Sequence, residues 1–174
     1  AGRTGGREAG GRAGGRGERW KDVPVHLENE PGMVARYAGF LGQLGGGRGA
    51  LNLVRGQLDS QWDDRLPPVL EAIDDIPPDD LLQVLEKWLV ERPGNAAVLI
   101  TAGRVALKAR LWGKAQGFFE AAANSSQSAT ALAELARLYR ALGDSSKAMS
   151  AFDRRMAQLE GSLPALPLPD KSVQ

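Results

Sequence analysis

LWGKAQGFF at residues 111–119 and LGDSSKAMSAF at residues 142–152 write one turn and helix start twice. Ala115, Phe119 and Ala122 recur as Ala148, Phe152 and Arg155, each shifted by 33 residues. A period of this length in an alanine- and leucine-rich chain predicts stacked helical hairpins. Each such unit cannot bury its apolar face alone and does so against its neighbours. A surface built this way suits holding a partner better than performing chemistry.

The unit at 96–128 carries Leu99, Ala102, Gly103 and Ala106 on its first helix, then Ala115, Phe118, Phe119 and Ala122 on its second. Gly103 reads as a close-approach position, where a side chain would push the paired helices apart. Gly117 has no such account and costs helix stability. The unit at 129–161 repeats the scheme with Leu132, Leu135, Ala136 and Tyr139. Gly143 stops its first helix, Asp144 or Ser145 caps the next, and Ala148, Phe152 and Met156 are expected to face inward.

Upstream, residues 62–95 predict a further hairpin. Trp62, Leu66, Leu70 and Ile73 mark its first helix, and Pro77–Pro78 its turn. The second helix starts at Asp79 or Asp80, with acids at the positive helix end, and buries Leu81, Leu82, Leu85, Trp88 and Leu89 before Pro93–Gly94. Residues 31–61 give a degraded first unit. Val34, Tyr37, Ala38 and Leu41 form one stripe, Gly45–Gly47 break it, and Ala50, Leu51, Val54 and Leu58 form the next. Residues 1–19 hold eight glycines, five arginines and two glutamates, which predicts a flexible or weakly helical leader before a helical domain at 20–161. Pro164, Pro167 and Pro169 make 162–174 an extended tail.

Composition narrows the function classes. Twenty-two basic residues against twenty-one acidic give a formal charge of +1, which offers nucleic acid no general attraction. The glycine–arginine leader has no aromatic residue for base stacking before Trp20. There is no cysteine, so thiolate catalysis, disulfides and cysteine-ligated metals are excluded. No apolar run reaches the length of a membrane span. No serine–histidine–acid set, phosphate loop or HExxH pattern occurs, so the chain reads as non-enzymatic and without cofactor or metal.

The spacing Leu99, Gly103, Ala115, Phe119, Ala122, repeated as Leu132, Ala136, Tyr139, Ala148, Phe152, resembles the tetratricopeptide (TPR) consensus. That consensus places a small residue where helices cross and an aromatic where they interlock. The resemblance implies an all-α, right-handed superhelix of antiparallel hairpins, with unit starts at Pro31, Trp62, Ala96 and Ala129.

QWDDRL at 61–66, EKWLVERPGNAAVLITAGRVALKARLWGKAQGFFEAA at 86–122, ELARLYRALGD at 134–144 and LPALPLP at 163–169 together resemble the bacterial HemY family. These TPR-containing proteins are associated with protoheme IX biogenesis. LWGKA and LPALPLP are the most specific strings, since the generic repeat demands neither. The resemblance implies a protein anchored in the inner membrane by two preceding helices, with its TPR region on the cytoplasmic side. It implies a scaffold in late haem synthesis, with ferrochelatase or protoporphyrinogen oxidase as partners. The glycine-rich stretches at 1–19 and 39–56 depart from the leucine- and alanine-rich helices the family leads one to expect. A TPR adaptor in envelope assembly and a direct porphyrin or haem carrier are the alternative readings.

In a TPR hairpin the first helix lines the groove. Leu70, Arg104 and Arg137 fall at its ninth position, Arg140 at the twelfth of the last unit, and Lys108 one turn beyond Arg104. This predicts a groove running from apolar to basic whose arginines grip carboxylates of an acidic peptide, a chain terminus or porphyrin propionates. Ordinary solvated arginines would give the same pattern. Residues 57–95 carry ten acids and three bases, read as helix caps and a solvated face, or else as a docking face for a basic partner. They lack the glycine and closing glutamate of a calcium loop. His26, the only histidine, stands outside the clear repeats; Met149 and Met156 read as packing residues. The four tryptophans read mainly as cement between helices, with Trp112 in a turn where it can meet a membrane or a partner.

Overall fold

In the computed structural model the described residues are 30–126 and 129–160. The leader, Trp20, His26 and the proline-rich tail lie outside them. The fold is all-α: the described residues form seven α-helices and one 3-10 helix, with no strand. The helices are α1 (Pro31–Gln43), α2 (Gly47–Ser60), the 3-10 helix Pro67–Ala72, α3 (Pro78–Glu91), α4 (Ala96–Lys108), α5 (Trp112–Ser126), α6 (Ala129–Ala141) and α7 (Ser145–Glu160). They belong to two compact units divided between Ile76 and Pro77.

In the first unit α1 and α2 form a hairpin around Val34, Ala38, Ala50, Leu51, Val54 and Leu58. The residues after α2 depart from the expected helix. Pro67 and Pro68 lack the amide protons an α-helix needs, and only a short 3-10 turn forms. It packs Leu66, Val69, Leu70 and Ile73 against the α1–α2 hairpin. The expected hairpin at 62–95 is therefore not formed: its first half completes the first unit. Asp75 closes this unit by accepting the Gly47 amide through both carboxylate oxygens, at 3.1 and 3.0 Å, at the positive end of α2.

In the second unit α3 packs on α4, α4 on α5, α5 on α6 and α6 on α7. The starts of α3 and α4 follow simple chemistry: Asp79 and Asp80 sit in the first turn of α3, and Asn95 caps α4 by accepting the Val98 amide at 3.0 Å. The 33-residue period is visible atom by atom in the turns. Leu111 donates to the Ala106 carbonyl and Asp144 to that of Tyr139, both at 2.9 Å. The residue before each donor is left-handed, Arg110 at φ 59° and Gly143 at φ 81°. Both turns are the same helix-ending motif.

The period also governs burial. Val98, Leu99, Thr101, Ala102, Val105 and Ala106 of α4 are buried, and so is each position 33 residues later on α6, from Ala131 to Tyr139. Gly103 is the crossing point of α4 and α5: a Cβ there would stand 2.4 Å from Cε1 of Phe119. Ala115, Phe119 and Ala122 are fully buried beside it.

The last hairpin departs from this scheme. Ala136 and Ala148 are half-buried, Phe152 is 52% exposed and Met149 60% exposed. The inward orientation expected of Phe152 does not hold, nor does the packing role expected of Met149; Ala148 and Met156 are partly buried. Two physical reasons stand out. Ala136 carries a Cβ where Gly103 leaves room for a ring, and no described helix covers α7 as α6 covers α5.

Candidate functional site

The expected groove residues divide sharply. Leu70 is a core residue of the first unit with no exposed surface, so it lines no groove. Arg104, Lys108, Arg137 and Arg140 all belong to the second unit, on α4 and α6.

Arg104 and Arg137 converge on one carboxylate. Arg104 Nε donates to Glu134 Oε1 and Arg137 Nη1 to Glu134 Oε2, each at 3.0 Å. The Glu134 side chain is 9% exposed, whereas that of Arg137 is 71% exposed. Two cations share one anion, and Lys108 and Arg140 are exposed on the same two helices. Arg104 is thus committed to the link between α4 and α6 and is not an open anchor. Arg137 reaches Glu134 only from its own helix, three residues away, and such exposed pairs hold weakly.

Beside this cluster lies a cleft of about 480 Å³, lined by Leu107, Trp112, Glu134, Arg137, Leu138 and Arg140. Trp112, 46% exposed, stands at the first position of α5, just after the tight turn at Arg110. The cleft thus combines an indole and two leucines with two guanidinium groups. That combination fits a ligand with an apolar body and a carboxylate, the guanidinium fork matching the carboxylate geometry.

Tyr139, buried on α6, ties that helix to its neighbour. Its hydroxyl donates to Glu120 Oε1 at 2.6 Å, joining α6 to α5. Burial, then the hydrogen bond to Glu120 and the nearby charge of Glu120 and Asp144, push its pKa up to about 12. Lys147 lies 5.5 Å from the ring centroid and also pairs with Asp144 at 3.1 Å.

Glu134, Leu107 and Leu138 were not legible as site residues. Glu134 had one signal, its place three residues before Arg137 on the same helix face. Three acids of the acidic strip are paired: Asp63 holds Arg65 at 2.8 Å, Asp64 accepts from the Trp62 indole at 2.8 Å, and Glu86 pairs with Lys114, 28 residues away, at 3.0 Å. The Arg65 bonds to Asp63 hold its carboxyl at about 2, below the usual range.

No family model matches the chain, and no curated protein is significantly similar to it. Among the described residues no helix is long and apolar enough to cross a membrane.

Proposed function

We propose that this chain is a non-enzymatic helical-hairpin interaction module of TPR type, whose second unit binds a partner segment through the cleft between the α4–α5 turn and α6. The observation that carries this reading is the placement of Arg137 and Arg140 beside the Trp112–Leu107–Leu138 surface. An acidic, partly apolar peptide fits that chemistry. Its apolar side chains would cover the indole while its carboxylates take the exposed guanidinium groups.

The resemblance to the bacterial HemY family gives this module its proposed setting. The chain would be the interaction region of a protein anchored in the inner membrane, working on the cytoplasmic side as a scaffold for haem biosynthesis. The proposed partners are ferrochelatase and protoporphyrinogen oxidase.

The test is a binding titration of the chain with each purified enzyme, beside Arg137→Glu/Arg140→Glu and Trp112→Ala variants of unchanged helicity. Saturable binding that both variants weaken at least roughly tenfold, with salt sensitivity, is expected. Binding of neither enzyme would remove the haem-scaffold setting. Binding that both variants leave intact would remove the cleft. A parallel titration with protoporphyrin IX tests the carrier reading: saturable porphyrin binding lost in the same variants would make a tetrapyrrole the ligand of the cleft.

A further inference from the structure

The second unit has another open surface, on its last hairpin. A groove of about 590 Å³ runs between α6 and α7, with Ala136, Ala148, Met149 and Phe152 in its lining. Met149 and Phe152 are more than half exposed there. One repeat earlier the corresponding face is closed: α6 packs on α5, and Ala115, Phe119 and Ala122 are fully buried.

The closed face shows what a cover must supply. Besides its apolar residues, α6 brings two polar groups. Glu134 accepts from Arg104 Nε at 3.0 Å, and the Tyr139 hydroxyl donates to Glu120 at 2.6 Å. The 33-residue period carries both receiving positions forward, Arg104 to Arg137 and Glu120 to Asp153. Arg137 and Asp153 are both exposed, one on each of the two helices that wall the groove.

The open groove also differs from the closed one in charge. Arg140 and Arg155 stand where the earlier hairpin has Leu107 and Ala122. With Arg137 they put three guanidinium groups in the lining, and no acid joins them there among the described residues. This charge favours an occupant with carboxylates. It disfavours a second copy seated symmetrically on the same face, which would set arginine against arginine.

We infer that the α6–α7 groove docks an amphipathic helix of another protein, set on α7 as α6 is set on α5. That helix carries a carboxylate for Arg137, a hydrogen-bond donor five residues later for Asp153, and apolar side chains over Met149 and Phe152. Further acids on its flanks meet Arg140 and Arg155. The five-residue spacing, that of Glu134 and Tyr139, decides for a helix. Five residues rise about 7.5 Å along a helix but about 17 Å along an extended strand. The partner cleft beside Trp112 shares Arg137 and Arg140 with the groove but nothing of its α7 wall, so either surface can fail without the other.

α6 itself supplies the probe, a fluorescent peptide of residues 129–142. A hydrocarbon link between positions 133 and 137, both exposed on α6, holds it helical, since so short a helix is marginal alone. The peptide is titrated into the full chain and into variants of unchanged helicity. Saturable binding is expected, roughly tenfold weaker for Phe152→Asp and for Arg137→Glu. A Glu134→Arg peptide should lose affinity for the natural chain by a similar factor and regain most of it with the Arg137→Glu chain. A loss that the exchanged charges do not rescue would overturn the inference. So would the absence of saturable binding to the full chain, whether the groove stays empty or the chain's own residues after 160 fill it. Binding lost in Trp112→Ala but kept in Phe152→Asp would place the peptide in the cleft and overturn it as well. Self-association of the chain that Phe152→Asp abolishes, read by sedimentation, would assign the groove to a second copy instead.

Discussion

The α4–α5 and α6–α7 hairpins are written with the same period and end their first helices with the same turn, yet one closes over its aromatic residue and the other does not. Phe119 is fully buried and Phe152 is half-exposed. Two differences separate them: glycine against alanine at the crossing point, and a following helix against none described. A repeat consensus therefore specifies the local hairpin, while burial depends on what comes next in the stack.

The largest effect that can break this comparison is truncation of the two rings. Phe119→Ala removes a fully buried aromatic and should cost about 3–5 kcal/mol in urea unfolding. Phe152→Ala should stay within about 1 kcal/mol, since half of its surface is already in water. Equal costs would mean that the open last hairpin is closed in solution.

The crossing point gives the next test. Gly103→Ala forces a Cβ into the fully buried Phe119 ring and should destabilise by about 1–3 kcal/mol. Gly117→Ala on α5 meets nothing within 4 Å and should stabilise by up to about 1 kcal/mol, because alanine favours the helix. The opposite signs, read in one denaturation series, separate packing from propensity.

Much of this was legible in the sequence, for a physical reason. Gly103, Ala115, Phe119 and Ala122 obey a local spacing that helix geometry converts directly into a buried stripe. The hairpin at 62–95 failed because its apolar residues do follow a helical stripe, but Pro67 and Pro68 remove the amide donors beneath it. Leu70 failed with it, since a groove position has meaning only inside a formed hairpin. Arg104 was placed on the right helix, but its commitment to Glu134 depends on a contact 30 residues away that no local pattern encodes. Phe152 shows the converse limit: its spacing is correct, and its exposure comes from what lies beyond the hairpin.

Tyr139 tests the junction between the two hairpins through pH. Its phenol is neutral while it donates to Glu120, and its pKa is raised from 10.0 to about 12. A group held protonated in the folded state contributes its full stabilisation below the unfolded pKa and loses it as pH rises through the folded one. Stability should therefore fall between about pH 10 and 12 more steeply in the parent than in Tyr139→Phe. Parallel pH profiles for the two proteins would remove the hydrogen bond from the account of how α6 is held on α5.

The smallest effect lies in the matched turns. Arg110 adopts a left-handed conformation at φ 59°, where its repeat-mate is Gly143 at φ 81°. A side chain in that conformation costs about 1–2 kcal/mol, and glycine gives back about 0.4–1 kcal/mol of this through the freedom of the unfolded chain. Arg110→Gly should accordingly stabilise by about 0.5–1 kcal/mol, and Gly143→Ala should destabilise by a similar amount. Mirror-image shifts would mean that the two turns are energetically the same motif and that Arg110 is retained against its own conformational preference. Arg110 lies two residues before Trp112, so the same Arg110→Gly variant should be titrated with the partner enzymes. Weaker partner binding by that more stable variant would tie the strained turn to the orientation of Trp112 in the cleft; unchanged binding would leave the strain with no part in recognition.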